Sequence, residues 1–100
     1  MDVLDKFRLD GKVALVPGGG GAIGSALAKA LSEAGACIAV VDRSAELAEE
    51  TVAVICKRGA NALTIPGDMT VEADVERVVA QTLDTFGRLD IIVNAIGGGA

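Results

Sequence analysis

The sequence has no histidine, tyrosine or tryptophan, and Phe7 and Phe86 are its only aromatic residues. Without histidine, and with two cysteines at no metal-ligand spacing, we expect neither a metal site nor an activated cysteine nucleophile. Apolar runs reach at most six residues, far below the ~18 of a membrane helix, so we predict no membrane contact. The net charge of −5 argues against nucleic acid as a partner, because there is no basic patch to meet phosphates.

The cysteines also bear on the compartment of the protein. Cys37 and Cys56 lie far apart in the sequence, and we interpret both as small buried hydrophobic side chains. Unpaired thiols are typical of a reducing environment, and residues 1–10 contain no signal-peptide apolar stretch. We therefore predict a cytoplasmic protein.

Short apolar segments alternate with helix-like segments of about 13 residues, a pattern that predicts an α/β fold with a parallel sheet. The predicted strands are 13–17, 37–41, 62–65 and 91–94, and the predicted helices are 22–34, 45–58 and 71–86. Gly35, Gly59 and Gly87 each follow a helix, where a left-handed residue is needed. Ser44 and Thr70 are placed to cap the second and third helices.

A glycine-rich turn, VPGGGGAIG, joins the first strand to the first helix. Glycine lets a ligand approach the backbone closely, and the free N–H groups of a helix N-terminus attract phosphate. The lysine and hydroxyl residue of a nucleoside-triphosphate loop are absent. The alternative is a tight turn without a ligand, although consecutive glycines cost conformational entropy that a turn alone does not need.

Four landmarks in the sequence match one family. The stretch GKVALVPGGGGAIG, residues 11–24, resembles the opening of the short-chain dehydrogenases/reductases, whose signature is Thr-Gly-x-x-x-Gly-Ile-Gly. LDIIVNAIG, residues 89–97, resembles the family's Leu-Asp-x-Leu-Val-Asn-Asn-Ala-Gly, and Asp42 and the GDMT stretch at 67–70 also match. The resemblance covers essentially the whole chain and implies the N-terminal half of a Rossmann-type doubly wound parallel sheet, in strand order 3-2-1-4.

The resemblance also implies a nicotinamide dinucleotide cofactor. Gly18, Gly20 and Gly21 would then form the diphosphate cradle and Ile23 would add a backbone N–H, whereas Gly24 would serve helix–strand packing. At the end of the second strand, the carboxylate of Asp42 would accept both ribose hydroxyls of NAD and repel the 2′-phosphate of NADP. We therefore expect NAD, with NADP less favoured; the alternative role for Asp42 is a helix cap.

The remaining candidates surround the adenine and the nicotinamide-side ribose. Arg43 could pair with the phosphate of NADP or lie over the adenine. Asp68 and the backbone N–H of Met69 would meet the adenine, and the alternative for Asp68 is a turn residue. Along the other ribose the resemblance places Asn94, Ala95 and Gly97, and the alternative for Asn94 is a buried amide between strands.

Three positions depart from the family pattern. Pro17 replaces a threonine and loses a hydroxyl and a backbone donor, although a strand end tolerates proline. Ala22 replaces the middle glycine, and Ala95-Ile96 replace Asn-Ala. We therefore expect the binding of NAD to be weak.

The family transfers hydride between a nicotinamide ring and an alcohol or carbonyl carbon. It uses a tyrosine acid/base, a lysine and a serine, all beyond the fourth strand, and this chain has no tyrosine. We therefore assign no catalytic residue and interpret residues 1–100 as a dinucleotide-binding half-domain, truncated before the catalytic region of a longer oxidoreductase. A small-molecule substrate would then bind only in that longer chain. The alternative is a non-catalytic dinucleotide-binding or assembly module complete at this length.

An apolar surface accompanies that truncation. The third helix has an apolar stripe that includes Val71 and Leu83, and the fourth strand, which begins at Ile91, lacks proline and lysine. An unprotected strand edge of this kind recruits another strand. We therefore predict self-association of the chain, as a homo-oligomer or otherwise.

Overall fold

The computed structural model describes residues 8–93. The elements are β1 (Val13–Pro17), α1 (Ala22–Glu33), β2 (Cys37–Asp42), α2 (Ala45–Lys57), β3 (Ala62–Pro66), α3 (Glu72–Phe86) and β4 (Ile91–Ile92). The predicted boundaries agree to within one residue, except that β4 ends before Val93. The candidate residues Asn94, Ala95 and Gly97 lie outside the described residues.

The sheet is parallel throughout, in the order β3-β2-β1-β4, which confirms the predicted order. β1 pairs with β2 over five residues and, within residues 8–93, with β4 over two. Because all the strands run in one direction, the carboxyl ends of β1, β2 and β3 lie along one edge of the sheet. The loops that follow these three strands therefore meet at that edge.

Helices cover both faces of the sheet, because successive side chains of a strand point to opposite faces. On one face, α1 and α2 enclose a cluster of Ala14, Val16, Ala28, Ala36, Ile38, Val40, Ala48 and Ile55. On the other, α3 covers Leu15, Ala39, Val41 and Ile65 with Val78. Burial on both sides explains why β1 and β2 are continuous apolar runs rather than alternating ones.

Pro17 ends β1 and lies buried. The N–H of Val13 donates to Asp90 Oδ2 and the carbonyl of Leu15 accepts from Val93, both at 2.9 Å, so odd-numbered positions of β1 face β4. The nitrogen of Pro17 faces the same side and has no hydrogen to donate. Pro17 therefore offers no backbone donor on the β4 side of β1.

The helix ends agree with prediction at four of five positions. Positive φ angles follow three helices, at Gly35, Gly59 and Gly87. Ser44 caps α2 by accepting from the N–H of Leu47 at 3.3 Å. The prediction for Thr70 was wrong: Val71 is the N-cap of α3, and Thr70 donates its hydroxyl to Asp68 Oδ1 at 2.6 Å. Thr70 lies one residue before the N-cap, and its bond to Asp68 directs the hydroxyl into the preceding turn.

The prediction of two buried cysteines was also wrong. Cys56 is exposed and Cys37 is half-buried. On α2, the inward position is taken by Ile55, and each residue of a helix is rotated by about 100° from the one before. Cys56 therefore lies outside the buried stripe of α2.

Candidate functional site

The loop 18–21 packs closely against β2 and α2. Gly18 has φ +70°, a conformation that glycine adopts without steric cost. A Cβ at Gly19 would lie 2.6 Å from Val40 Cγ1, and one at Gly20 would lie 2.6 Å from Leu47 Cβ. The second and third glycines of the loop are therefore explained by packing against the protein itself.

Gly24 brings α1 against the same loop. A Cβ at this position would collide with the carbonyl oxygen of Gly18 and lie 3.0 Å from Gly19 Cα. Backbone atoms of the loop cannot give way as a flexible side chain can. The structure therefore agrees with a packing role for Gly24.

The N-terminus of α1 is the open part of the site. Gly21 is the N-cap and supplies no side-chain hydrogen bond, and the first helical bond runs from Ser25 N to its carbonyl at 2.8 Å. Within the described residues, the N–H groups of Ala22 and Ile23 face no acceptor, and both residues are exposed. A Cβ at Gly21 would meet only one carbonyl oxygen, at 3.4 Å. Exposed N–H groups at a helix N-terminus can receive an anion.

Asp42 joins three loops at the carboxyl edge of the sheet. Its Oδ2 accepts from the N–H of Gly20 at 3.0 Å, and its Oδ1 accepts from the N–H of Ser44 at 2.9 Å. Its backbone carbonyl accepts from the N–H of Gly67 at 3.0 Å. The side chain is half-buried, and each carboxylate oxygen keeps lone-pair capacity for a further donor. Asp42 is thus not the α2 cap, because Ser44 holds that position.

Arg43 follows Asp42 in the loop after β2, and Asp68 lies in the loop after β3. Arg43 is 80% exposed, and its Nη1 lies 3.9 Å from Asp68 Oδ2. Asp68 Oδ1 accepts from both the hydroxyl and the N–H of Thr70, and the hydroxyl bond holds the pKa of Asp68 below its usual value. Asp68 therefore stabilises a local turn through its Oδ1, while its Oδ2 lies near Arg43.

Met69 follows this turn. Its half-buried side chain packs against the cluster that contains Leu15 and Val41. The N–H of Asp68, immediately before it, donates to Asp74 Oδ2 at 2.8 Å. Within the described residues, the N–H of Met69 has no acceptor, so it remains available at the carboxyl edge.

Sequence reasoning missed two contacts that shape the edge. Thr51 on α2 is buried and donates its hydroxyl to the carbonyl of Gly19 at 2.9 Å. Arg77 on α3 donates from Nη2 to the carbonyl of Pro66 at 2.7 Å. A threonine in the inward stripe of α2, where its neighbours are apolar, was the signal that could have indicated the first contact.

The arrangement places backbone donors and carboxylate acceptors around the same loop. The open end of α1 supplies N–H donors, and Asp42 supplies acceptor oxygens close to the same loop. Across residues 8–93 no three potential metal ligands are grouped. In the same part of the chain no helix has the length and apolar character that would let it cross a membrane.

Comparison with known proteins identifies relatives along the whole chain. The family model for short chain dehydrogenase matches residues 12–100. An uncharacterized oxidoreductase of Thermotoga maritima is 46% identical over 91 residues, which are 91% of this chain and 36% of that protein. An uncharacterized oxidoreductase of Mycobacterium tuberculosis is 36% identical over 96 residues, which are 96% of this chain and 36% of that protein. The chain thus spans little more than a third of the length of these curated relatives.

A solved structure shows the same fold. It is a 7α-hydroxysteroid dehydrogenase complexed with NADH and 7-oxo glycochenodeoxycholic acid, and it is 35% identical with a TM-score of 0.94. The similarity covers 100% of this chain and 39% of that one. Short-chain dehydrogenases are oxidoreductases that bind a nicotinamide dinucleotide on a Rossmann-type sheet, as the sequence resemblance implied. The family match from residue 12 to 100, on a parallel sheet with a glycine-rich loop after β1, shows that the chain belongs to the short-chain dehydrogenase family.

Proposed function

We propose that this chain binds NAD, in preference to NADP, along the carboxyl ends of β1, β2 and β3, as the cofactor-binding part of an oxidoreductase. The observation that carries the proposal is the open N-terminus of α1 beside a carboxylate. Gly21 leaves the first N–H groups of the helix uncapped, and Asp42 accepts from the adjoining Gly20 at 3.0 Å. An anionic diphosphate and a ribose are the groups that such a pair of neighbours suits.

The loop fits a diphosphate for a steric reason. Packing explains the absence of side chains at Gly19 and Gly20, but the space at Gly21 is open apart from one oxygen at 3.4 Å. A bare backbone there lets a phosphate come close to the N–H groups of Ala22 and Ile23. The methyl group of Ala22 stands where the family has glycine, and for this reason the proposed affinity is low.

The proposed preference for NAD over NADP rests on the negative charge of Asp42. A half-buried carboxylate at Asp42 would repel a 2′-phosphate, whereas its remaining lone pairs can accept ribose hydroxyls. Arg43 is the group that could favour NADP instead. Its guanidinium lies toward Asp68, at 3.9 Å, and that pairing supports a position over the adenine side of the site.

The remaining candidates are proposed to contact the adenine and the nicotinamide-side ribose. Asp68 and the N–H of Met69 would meet the adenine. Asn94, Ala95 and Gly97 are proposed along the nicotinamide-side ribose. When bound, the nicotinamide ring would carry the hydride in a reaction of an alcohol or carbonyl compound. This chain's residues would bind and orient the cofactor, and no residue is assigned to proton transfer.

Calorimetric titration of the chain with NAD and with NADP tests the proposal. We expect weak binding of NAD and weaker binding of NADP. As a control, Glu49→Gln removes an exposed charge of α2 outside the site and should leave both affinities unchanged. Absence of NAD binding, or tighter binding of NADP, would contradict the proposal. In a parallel assay with NADH and a ketone, we expect the chain alone to leave the NADH absorbance unchanged.

We also propose self-association through β4 and the exposed part of α3. Ile92 is 60% exposed on the edge strand, Leu83 of α3 is 44% exposed, and Val71, the N-cap of α3, is 45% exposed. A second copy of the chain could pair with the edge of β4 that has no neighbouring strand within residues 8–93, and could cover these side chains. The cytoplasmic location stays a prediction from composition.

A further inference from the structure

One peptide group of the glycine-rich loop is held at both ends. The carbonyl of Gly19 accepts from the buried hydroxyl of Thr51 at 2.9 Å. The N–H of Gly20, which belongs to the same peptide plane, donates to Asp42 Oδ2 at 3.0 Å. The C=O and N–H of a trans peptide point in opposite directions, so the two contacts together fix the rotation of the plane.

Such a restraint is needed because neither residue has a side chain. A peptide between two glycines meets little steric resistance to rotation, since glycine populates both halves of φ space. If the plane turned over, Asp42 would lose its donor from Gly20, and the carbonyl of Gly19 would leave the buried side of the loop. A carbonyl oxygen turned toward the open end of α1 would repel an anion there.

The position of Thr51 in α2 is explained by its hydroxyl rather than by its bulk. Its neighbours in the inward stripe of the helix, Ala48 and Ile55, are apolar and buried. A valine would fill the same volume with the same branching, and burying a hydroxyl costs free energy unless it forms a hydrogen bond. The bond to Gly19 spans 32 positions of the sequence and is the hydroxyl's only contact of this kind among the described residues.

We propose that Thr51 is a positioning residue of the dinucleotide site, and the proposal rests on the function proposed above. Thr51 touches no ligand in this assignment. Its hydroxyl fixes the orientation of the Gly19–Gly20 peptide. Through that peptide it keeps the Asp42 carboxylate oriented and keeps the Gly19 carbonyl away from the N-terminus of α1. The loop is then in its binding conformation before the cofactor arrives, which reduces the ordering cost of binding.

The variants Thr51→Val and Thr51→Ser separate the hydroxyl from the shape of the side chain. Thr82→Val is the matched control, because Thr82 is also buried in a helix and donates to a backbone carbonyl, that of Val78, at 2.8 Å. Two readouts apply: calorimetric affinity for NAD, and amide hydrogen exchange of Gly20. Circular dichroism at the assay temperature shows that each variant is folded.

Thr51→Val should weaken NAD binding about five- to tenfold and speed exchange of the Gly20 amide by a similar factor, as expected for one lost hydrogen bond. Thr51→Ser should restore both, and Thr82→Val should change neither. The inference is overturned if Thr51→Val behaves like Thr82→Val, or if serine fails to rescue. If the unmodified chain does not bind NAD, the proposed function fails, and exchange at Gly20 alone then decides whether Thr51 positions the loop.

Discussion

The carboxylate of Asp42 accepts a hydrogen bond from the backbone N–H of Gly20 at 3.0 Å, and this contact connects the end of β2 to the loop after β1. The same carboxylate is proposed to select NAD. The two roles need different properties of the side chain: the loop contact needs an acceptor oxygen, whereas rejection of a 2′-phosphate needs negative charge. Substitutions can therefore separate them.

Asp42→Asn should narrow the difference in affinity between NAD and NADP and keep the contact with the loop, because the amide oxygen can still accept from the N–H of Gly20, although the bond from the N–H of Ser44 is then lost. Asp42→Ala should narrow that difference as well and lower the free energy of unfolding by about 1–3 kcal/mol, because two backbone donors lose their acceptor. Calorimetry and urea denaturation measure the two effects. An unchanged affinity ratio in Asp42→Asn would show that the charge does not select the cofactor.

Gly24→Ala should lower the free energy of unfolding by about 2–4 kcal/mol, because the added Cβ collides with the carbonyl of Gly18. Gly21→Ala is the matched comparison, since its Cβ finds only an ordinary 3.4 Å contact. We expect Gly21→Ala to lower the free energy of unfolding by less than about 1 kcal/mol but to weaken NAD binding, because the added methyl group lies at the open N-terminus of α1. Urea denaturation and titration test both variants. Equal destabilisation by the two substitutions would disprove the packing role of Gly24.

Asp90→Asn should reduce the loss of stability in acid. A hydrogen bond from the Arg88 guanidinium, with a second from the N–H of Val13, holds the pKa of Asp90 below its ordinary value of 3.8. A lowered pKa in the folded state contributes stability above the unfolded value, and that contribution disappears as the pH falls through the folded value. Urea unfolding between pH 7 and 3 should therefore be less pH-dependent in the variant than in the unmodified chain.

The control for this acid effect is Asp84→Asn. Asp84 is exposed on α3 and carries the same charge. We expect its substitution to leave the slope of stability against pH close to that of the unmodified chain. Equal flattening by both substitutions would indicate a change in net charge rather than the contact between Arg88 and Asp90.

Ile92→Lys should reduce self-association, because a lysine on an edge strand opposes pairing with a second copy. Sedimentation at micromolar concentration measures the effect. Ala53→Lys adds the same charge to an exposed position of α2 and serves as the control. A monomer in the unmodified chain, or equal dissociation in both variants, would count against association through β4.

The parallel order of the sheet could be predicted because its signals are local. Apolar runs such as Ala36–Val41, and glycines after each helix, depend only on neighbouring residues. The family resemblance then placed β1 in the centre. The pairing of β4 is different, because Ile91 and Ile92 lie beside Ala14 and Leu15, 77 positions earlier. A contact between residues so far apart in the sequence is not indicated by local patterns.

The contacts of the site were less predictable than its location. Asp42 was recognised by its place at the end of the second strand, but its bonds to Gly20 and Gly67 require the folded loops. Thr70 was assigned to a helix cap because the sequence does not show that the N-cap of α3 is Val71, one residue later. Thr51 was missed because its partner, the carbonyl of Gly19, is a backbone group, and the sequence of side chains does not indicate where a backbone acceptor lies.

Asp42 both supports the glycine-rich loop and is proposed to select the cofactor, and this combination constrains the evolution of the site. If Asp42 excludes a phosphorylated ribose as proposed, a single substitution that admits one also removes a support of the glycine-rich loop, unless the new side chain can still accept from Gly20. Asparagine satisfies that condition by size and chemistry, whereas alanine, glycine and serine do not reach as far. A change in cofactor preference is therefore expected to pass through a narrow set of amino acids, or to follow earlier mutations that had already strengthened the loop.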